Sequence, residues 1–389
     1  PPVRPGDTPP PIPLPCDLEG YRARLRETFG YPDFRSGQAR VLEALGGGDV
    51  VAVMPTGSGK SICYVLPALA VGRTVVVSPL IALMQDQVES LQAAGIAATF
   101  INSTLTRDEQ NRRYRDFIEG RAALLYVAPE RFANARFVAG LRAAGVHLLV
   151  IDEAHCISEW GHDFRPDYLV LGSVRGRLGS PRTLALTATA DPVVRRDILV
   201  RLGIVGRAAE VVTSFDRPNL RFEVVPVPGE SERIDWIIRY ARERRGQAGI
   251  VYARTRRNVE QTAAALAAVG IRAVGYHAGM SAPDRAHAQR RFITGQVPVL
   301  VATNAFGMGI DKPDTRFVIH LQIPANLEAY YQESGRAGRD GKDAECTLLF
   351  LQDDKRVQQF FLVKHYPSAD EIRAVYEAVR ELADEETAT

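Results

Sequence analysis

The sequence predicts an α/β fold in which two tandem lobes each contain a parallel sheet flanked by helices. Short runs rich in β-branched residues alternate with segments of helical length along most of the chain. Strands that are apolar at every position are typical of parallel sheets covered on both faces, and strands that alternate with helices are typical of βαβ units. The predicted strands are residues 50–54, 74–78, 124–127, 148–152, 183–186, 250–252, 297–302 and 317–321.

Length and composition limit the class of protein. The chain has 389 residues, of which 46% are apolar and 24% charged, as in a folded protein of two or three domains. Disorder of the whole chain is therefore excluded. The longest apolar run, residues 62–71, is interrupted by Pro67, and it is much shorter than the ~20 residues that a membrane-spanning helix needs. The sequence predicts no membrane segment.

The four cysteines lie far apart and form no C-x-x-C pair: Cys16, Cys63, Cys156 and Cys346. We therefore expect neither a disulfide framework nor a zinc site. Free thiols favour a reducing, intracellular environment.

The net charge of +2 is nearly neutral, but only five of the 48 basic residues are lysines. The guanidinium group of Arg fits phosphate bidentately, although a codon bias toward Arg would give the same count. A neutral total does not exclude nucleic acid, because a basic groove can be balanced by acidic faces elsewhere.

Four segments are predicted along the chain. Residues 1–16, with eight prolines in the first fifteen positions, form a disordered leader. Lobe one spans residues 17–208 and lobe two residues 209–352. Residues 353–389 form a helical C-terminal extension or the start of a further subdomain, because a capping box at 368–371 precedes an amphipathic pattern. Its apolar positions are Ile372, Val375, Tyr376, Val379 and Leu382.

A phosphate-binding loop follows the first predicted strand. The sequence Pro55-Thr-Gly-Ser-Gly-Lys-Ser61 has the glycine spacing of a P-loop, although Met54 stands where the strict pattern has glycine. Glycines let successive N–H groups turn toward phosphate oxygens, and the next helix adds its positive N-terminal end. Lys60 would reach the β- and γ-phosphates and the Ser61 hydroxyl would bind Mg²⁺. The predicted nucleotide-binding residues of the loop are Thr56, Gly57, Ser58, Gly59, Lys60 and Ser61.

Acidic residues follow the strand at 148–152. Asp152 ends an apolar strand, at the edge where ligands bind in open α/β sheets, and Glu153 and His155 follow it. Asp152 would hold Mg²⁺, and Glu153 would act as general base on the attacking water. His155 is a further catalytic candidate, although a buried structural histidine would fit the same position. The P-loop and this acidic motif together predict a Mg²⁺-dependent nucleoside triphosphatase.

A third motif is rich in arginine and glycine. The sequence from Gln332 to Gly341 places Arg336 and Arg339 at a spacing that suits charge developing on a transferred phosphoryl group. A solvated basic turn would have a similar composition.

In this order the three motifs resemble those of superfamily 2 helicases, and the match is closer to the RecQ family of DNA helicases. The similarity extends over about residues 25–350. It includes Ser78–Gln87, Tyr126–Arg131 and Leu186–Ala190, which resemble family motifs of lobe one. Residues 25–38 resemble the adenine-recognition motif of the family. The resemblance implies that Tyr31 stacks on the base and that Arg35 and Gln38 contact it or its neighbours.

The most specific likeness is the loop of residues 156–168, directly after the acidic motif. Trp160, His162, Phe164 and Arg165 have the chemistry to stack on unpaired bases and hold phosphate. In RecQ proteins this aromatic-rich loop couples DNA binding to hydrolysis. Motifs in lobe two imply further roles: Ser214, Arg217, His277 and Thr303 in DNA binding, and Gly309 and Asp311 in nucleotide binding.

The resemblance implies two RecA-like lobes that hold ATP and Mg²⁺ in the cleft between them, with Arg339 as arginine finger and Arg336 beside it. It also implies a helicase that moves 3′ to 5′ on single-stranded DNA and unwinds duplex or forked DNA. The cysteine-bound zinc subdomain and the winged helix common in the family are not evident. An RNA helicase, or a DNA-binding or annealing module switched by ATP without strand separation, remain alternatives.

The same resemblance sets expectations for the cell. We expect a monomer that works in DNA repair and recombination, with single-stranded DNA-binding or repair proteins as possible partners. The expected location is the cytoplasm at the nucleoid in a bacterium, or the nucleus in a eukaryote.

Overall fold

The computed structural model describes residues 14, 17–79, 81–161, 163–307, 312–354, 370, 373–377 and 380. Their fold comprises two compact units. The first extends to Pro218 and includes residues 307–313 and 339–341, and the second contains the remaining residues from Asn219 onward. His162, Gly309, Asp311, most of the predicted leader and most of residues 353–389 lie outside the described residues.

The first unit contains a seven-stranded sheet in the order β3-β4-β2-β5-β6-β1-β7, in which all neighbouring strands are parallel. Its strands are β1 (Asp49–Val53), β2 (Thr74–Val77), β3 (Ala98–Ile101), β4 (Leu124–Val127), β5 (Leu148–Ile151), β6 (Arg182–Thr187) and β7 (Ala208–Val212). Its helices are α1 (Leu18–Phe29), α2 (Gln38–Gly47), α3 (Ile62–Val71), α4 (Ile81–Ala93), α5 (Arg107–Ile118), α6 (Ala135–Ala144), α7 (Leu171–Arg177) and α8 (Pro192–Leu202).

Both faces of this sheet are covered, which is why central strands such as β1 and β5 carry unbroken apolar runs. Val51 and Ile151 belong to one buried cluster, whereas their strand neighbours Val50 and Val150 belong to another. Side chains of a strand alternate between faces, so the two clusters are the two faces of the sheet. Leu14, within the predicted leader, is also buried in the second cluster, so the leader is not entirely outside the core.

Local signals fix the ends of the helices. α8 begins after Asp191, whose side chain accepts a hydrogen bond from the Val194 N–H, and it ends at Gly203 in the left-handed conformation. Pro192 occupies its first turn, where a missing N–H costs nothing.

The second unit contains a six-stranded parallel sheet in the order β10-β11-β9-β12-β13-β8. Its strands are β8 (Leu220–Pro226), β9 (Ala248–Tyr252), β10 (Ala273–Tyr276), β11 (Val299–Ala302), β12 (Thr315–His320) and β13 (Ala344–Phe350). Its helices are α9 (Glu230–Glu243), α10 (Arg256–Ala268), α11 (Ala282–Ile293) and α12 (Leu327–Ser334). Among the described residues, no helix is long and apolar enough to cross a membrane.

The predicted fold class is confirmed, and all eight predicted strands are present within a few residues of their expected bounds. Five further strands were not predicted: β3, β7, β8, β10 and β13. Four of these five are the edges of the two sheets. An edge strand has fewer neighbours, and exposed positions such as those of β7 and β8 break the continuous apolar pattern.

The expected boundary between lobes after residue 208 differs from the structure. β7 pairs with β1 over Asp49–Val53, so the first unit continues to Pro218. Arg339, expected in lobe two, also groups with the first unit. In the predicted C-terminal extension, residues 373–377 are helical, and Val375 and Tyr376 are 63% and 66% exposed.

Candidate active site

Three loops of the first unit meet because their strands are neighbours in the sheet. The P-loop follows β1, the acidic motif follows β5, and Thr187 ends β6, which pairs with both β1 and β5. The carboxyl ends of parallel strands lie at one edge of a sheet, where ligands bind in open α/β folds. Sheet order therefore brings together motifs that are about a hundred residues apart in sequence.

The P-loop turns at two glycines in the left-handed region. Gly57 and Gly59 have φ angles of 81° and 75°. A Cβ atom at Gly59 would lie only 2.7 Å from Nε2 of Gln38, so a larger residue would displace that amide and would also strain the backbone at this φ. α3 begins directly after Ser61, which places the positive end of a helix at the loop.

Four successive carbonyl groups of the P-loop accept hydrogen bonds from side chains. Arg217 Nη1 donates to the Thr56 carbonyl at 2.8 Å, and Arg35 Nη1 donates to the Gly57 carbonyl at 2.6 Å. Gln38 Nε2 lies 3.0 Å from the carbonyl oxygens of both Ser58 and Gly59. The C=O and the next N–H of a trans peptide point in opposite directions. These bonds therefore direct the N–H groups of Gly57, Gly59 and Lys60 toward the opposite side of the loop, as phosphate binding requires.

The predicted adenine-recognition residues lie beside the P-loop. The ring of Tyr31 is 47% exposed and stacks on Phe29, with ring centroids 6.3 Å apart. The Arg35 guanidinium lies 6.0 Å from the Tyr31 ring while it donates to Gly57, and the Arg35 N–H donates to Gln38 Oε1 at 2.8 Å. Tyr31, Arg35 and Gln38 are thus brought together, and their contact with a base stays a prediction.

Asp152 lies at the end of β5 in an environment that resists ionisation. Burial of its carboxyl group, followed by the nearby Glu153 carboxylate, raises the pKa of Asp152 to about 7, whereas the Lys60 ammonium opposes the rise. The Glu153 N–H donates to Asp152 Oδ1 at 3.0 Å. Glu153 itself has a φ of 48°, an uncommon conformation for a residue other than glycine that is frequent at functional sites.

The donor groups fit a nucleotide with a bound divalent ion. Ser61 and Asp152 offer hydroxyl and carboxylate oxygens, which are the ligands that Mg²⁺ prefers. Lys60 is close enough to Asp152 to act on its pKa, and its Nζ lies 3.4 Å from the Met54 carbonyl oxygen. The predicted phosphate, metal and base residues therefore lie in one part of the first unit.

His155 is fully buried and connects the acidic motif with the end of β6. Its Nδ1 lies 2.8 Å from Thr187 Oγ1 and 3.4 Å from Glu153 Oε2. The Thr187 hydroxyl donates its hydrogen to the Thr189 carbonyl at 3.0 Å, so it accepts one from His155 Nδ1. The sequence did not assign Thr187 a role of its own. The signal was its position after a strand, within the motif at residues 186–190.

The aromatic-rich loop exposes one large ring. Trp160 is 76% exposed and Phe164 is half-buried. Arg165 pairs with Asp163 at 3.1 Å, and its Nη1 lies 3.3 Å from the Pro79 carbonyl oxygen. The Tyr168 hydroxyl donates to the Asp152 carbonyl at 3.1 Å, so the end of the loop is tied to the acidic motif.

Within the described part of the chain, one group of possible metal ligands was found: His155, Cys156 and Asp163, with ligand atoms within 4.8 Å of one another. Burial, and next the Asp163 carboxylate, raise the pKa of the Cys156 thiol. A protonated thiol is a poor metal ligand, and Asp163 already pairs with Arg165. The group is therefore better described as part of the packing of the loop.

Two arginines approach the P-loop within the first unit. A Cβ atom at Gly57 would lie 3.2 Å from Cγ of Arg339 and 3.3 Å from Nη1 of Arg217. The structure thus brings the predicted arginine finger to the phosphate loop. It places Arg217, expected at DNA, at the phosphate loop as well.

The structure also places the remaining site candidates that it describes. In the first unit, the exposed Ser214 accepts a hydrogen bond from the Asp216 N–H at 3.0 Å. In the second unit, His277 is buried with Nε2 3.2 Å from Glu260 Oε1, and Thr303 Oγ1 accepts from the Ala305 N–H at 3.3 Å. Gln332 is half-buried on α12, and Arg336 is only 6% exposed. Their roles in catalysis or DNA binding stay predictions.

Comparison with known proteins identifies relatives of both units. The DEAD/DEAH box helicase model matches residues 35–197, and the helicase conserved C-terminal domain model matches residues 232–341. ATP-dependent DNA helicase RecQ of Bacillus subtilis (strain 168) is 45% identical over 349 residues, which are 89% of this chain and 58% of that protein. The chain thus spans less than two thirds of that relative.

A second relative is covered more fully. The probable ATP-dependent DNA helicase RecS of Bacillus subtilis (strain 168) is 42% identical over 358 residues, which are 90% of this chain and 71% of that protein. Among solved structures, Mycobacterium smegmatis helicase Lhr bound to ssDNA and AMP-PNP has a TM-score of 0.69 at 21% identity, over 86% of this chain and 48% of that one. This last likeness concerns the fold alone.

Proposed function

The chain belongs to the RecQ family of helicases, and from this premise we propose that it is an ATP-dependent DNA helicase. The proposed enzyme translocates on single-stranded DNA, in the 3′ to 5′ direction, and separates duplex or forked DNA. The observation that carries the proposal is the P-loop, in which Arg35, Gln38 and Arg217 hold four successive carbonyl groups and Lys60 lies near the acidic Asp152.

The residues of the first unit have separate tasks in the proposed hydrolysis. The P-loop N–H groups and Lys60 bind the phosphates of ATP, and Ser61 and Asp152 would hold Mg²⁺. When bound, Mg²⁺ would neutralise charge on the phosphate oxygens. Glu153, fixed through its backbone bond to Asp152, orients the attacking water and accepts its proton. Arg339 supplies positive charge at the P-loop as the terminal phosphoryl group is transferred.

ATP hydrolysis can drive strand separation only if it changes how the protein binds DNA. The chain has two compact units. A nucleotide that binds one arrangement of two such units more tightly than another can drive their relative movement, because hydrolysis changes which arrangement is favoured. The aromatic-rich loop supports a connection to DNA. Its exposed Trp160 can stack on an unpaired base, and its end is tied to Asp152 through Tyr168.

A tailed-duplex unwinding assay tests the proposal. Fluorescent duplexes with a 3′ or a 5′ single-stranded tail are incubated with the protein, ATP and Mg²⁺, and with Lys60→Ala as a control. We expect ATP-dependent unwinding of the 3′-tailed duplex alone. Hydrolysis without any strand separation would favour the ATP-switched binding or annealing module. Stronger stimulation of hydrolysis by RNA than by single-stranded DNA would favour an RNA helicase.

The cellular role follows from the proposed substrate. We place the protein in DNA repair and recombination, as a monomer at the bacterial nucleoid or in a eukaryotic nucleus. Its proposed partners are forked or single-stranded DNA and, on that DNA, single-stranded DNA-binding or repair proteins.

A further inference from the structure

Arg217 lies at the phosphate loop and not on a surface of its own. It follows β7 within the first unit, and its Nη1 donates to the Thr56 carbonyl at 2.8 Å. The same Nη1 would be 3.3 Å from a Cβ atom at Gly57. By similarity of motif, Arg217 was expected to bind DNA. Its position gives it a different neighbour, the backbone that cradles phosphate.

The bond to Thr56 completes a set that fixes the P-loop. Arg35 and Gln38 hold the carbonyls of Gly57, Ser58 and Gly59, and Arg217 holds the carbonyl that precedes them. The Thr56 carbonyl and the Gly57 N–H belong to one peptide plane, so the bond that holds the carbonyl also orients the N–H. Without Arg217 this plane can rotate, and the first N–H of the cradle loses its fixed direction.

The positive charge of Arg217 also favours nucleotide binding. A guanidinium retains its positive charge at any working pH and offers donors in a rigid fork. At the outer side of the P-loop it adds positive potential next to the place where phosphate charge collects. Both effects favour bound nucleotide before any bond is broken.

We propose that Arg217 is a positioning residue for nucleotide, which fixes the Thr56–Gly57 peptide of the P-loop for phosphate binding. This inference rests on the proposed ATPase function and assigns Arg217 to ATP affinity, whereas Arg339 is assigned to the rate of hydrolysis. It differs from the expectation, drawn from the motif, that Arg217 contacts DNA, which the experiment below tests.

The experiment compares Arg217→Ala and Arg217→Lys with Arg221→Ala, a nearby exposed arginine on β8 that has no role in the site. Isothermal titration with ADP and with ATPγS, both with Mg²⁺, measures nucleotide affinity. Fluorescence anisotropy with a single-stranded oligonucleotide, without nucleotide, measures DNA affinity. Steady-state kinetics with saturating DNA separates KM for ATP from kcat.

For Arg217→Ala we expect nucleotide Kd and KM to rise about tenfold, as for loss of one charge-assisted hydrogen bond. The kcat at saturating ATP and the DNA Kd should stay within about twofold of wild type, a range that is small against that tenfold effect. Arg217→Lys should recover part of the affinity, because it restores the charge and one donor without the fork. Arg221→Ala should match wild type throughout.

Two results would overturn the inference. One is unchanged nucleotide affinity together with weakened DNA binding, which would restore the expected DNA role. The other is a lowered kcat with unchanged nucleotide affinity, which would make Arg217 a group that acts in the transition state. If Arg217→Ala does not fold, as judged by circular dichroism, Arg217→Lys decides by the same criteria. A wild-type protein that binds ATP but does not hydrolyse it would contradict the proposed function and leave the affinity test intact.

Discussion

The Nδ1 atom of His155 lies 2.8 Å from the hydroxyl oxygen of Thr187, and this bond joins the loop after β5 to the end of β6. Glu153, the proposed base, precedes His155 by two residues, with its Oε2 3.4 Å from the same Nδ1. The hydrogen on Nδ1 thus lies between the hydroxyl group of one motif and the carboxylate of another. A change at Thr187 can therefore alter the position of Glu153 without direct contact to nucleotide.

Replacing Thr187 by valine removes the acceptor for His155 and keeps the side-chain volume. We expect the DNA-stimulated kcat to fall about two- to tenfold, the effect of one net hydrogen bond, while nucleotide affinity is retained. Thr187→Ser keeps the hydroxyl and should retain most of the activity. ATP turnover with and without single-stranded DNA checks this, and equal loss in both variants would count against the hydrogen bond.

Lys60 is expected to be essential for turnover. Lys60→Ala should abolish ATP hydrolysis, because the variant lacks the positive charge that the P-loop is proposed to bring to the β- and γ-phosphates. Lys342→Ala, at an exposed position, serves as the matched control and should hydrolyse ATP normally. Phosphate release in the presence of DNA is the measurement, and a wild-type rate in Lys60→Ala would discard the site assignment.

Arg339 is expected to act on rate. Arg339→Ala should still bind ATP, but its kcat should fall by about 10³-fold or more, as for other arginine fingers. Affinity by titration and kcat by phosphate release must be measured separately. Loss of affinity with an intact kcat would contradict the finger role and would resemble the behaviour we assign to Arg217.

The aromatic-rich loop is expected to couple DNA to hydrolysis. Trp160→Ala combined with Phe164→Ala should bind ATP normally but lose the stimulation of turnover by single-stranded DNA, because base stacking is lost. Tyr376→Ala removes another exposed aromatic ring outside the loop and controls for general effects. If single-stranded DNA still stimulates ATP turnover in the double variant, the loop has only a structural role.

Asp49 is expected to be important for stability. This buried residue at the start of β1 accepts from Arg175 Nη2 at 2.9 Å and from the Thr183 N–H at 2.8 Å. Asp49→Ala would leave the Arg175 charge buried and unpaired, which costs about 3–5 kcal/mol. Chemical denaturation measures the loss. Glu119→Ala, which breaks an exposed pair with Arg121, should change the midpoint little.

Much of the fold could be predicted because periodicity and motif spacing are local properties. Central strands of the first sheet such as β1 and β5 carry unbroken apolar runs because both faces of that sheet are covered, and that signal is visible without a structure. β7 and β8 lack it, because consecutive residues of these two edge strands are exposed, and the boundary after residue 208 was therefore expected at the start of β7.

The sequence alone determined the family and the α/β class, and it predicted the roles of Lys60, Ser61, Asp152 and Glu153, because residue types at fixed spacing along each strand–loop segment carry that information. Only the tertiary structure decided the partners across segments. It placed Thr187 against His155 and Arg217 on the P-loop, 161 residues away from Thr56. Such contacts depend on the order of strands in the sheet, and strand order is set by packing of the whole unit and not by any local pattern.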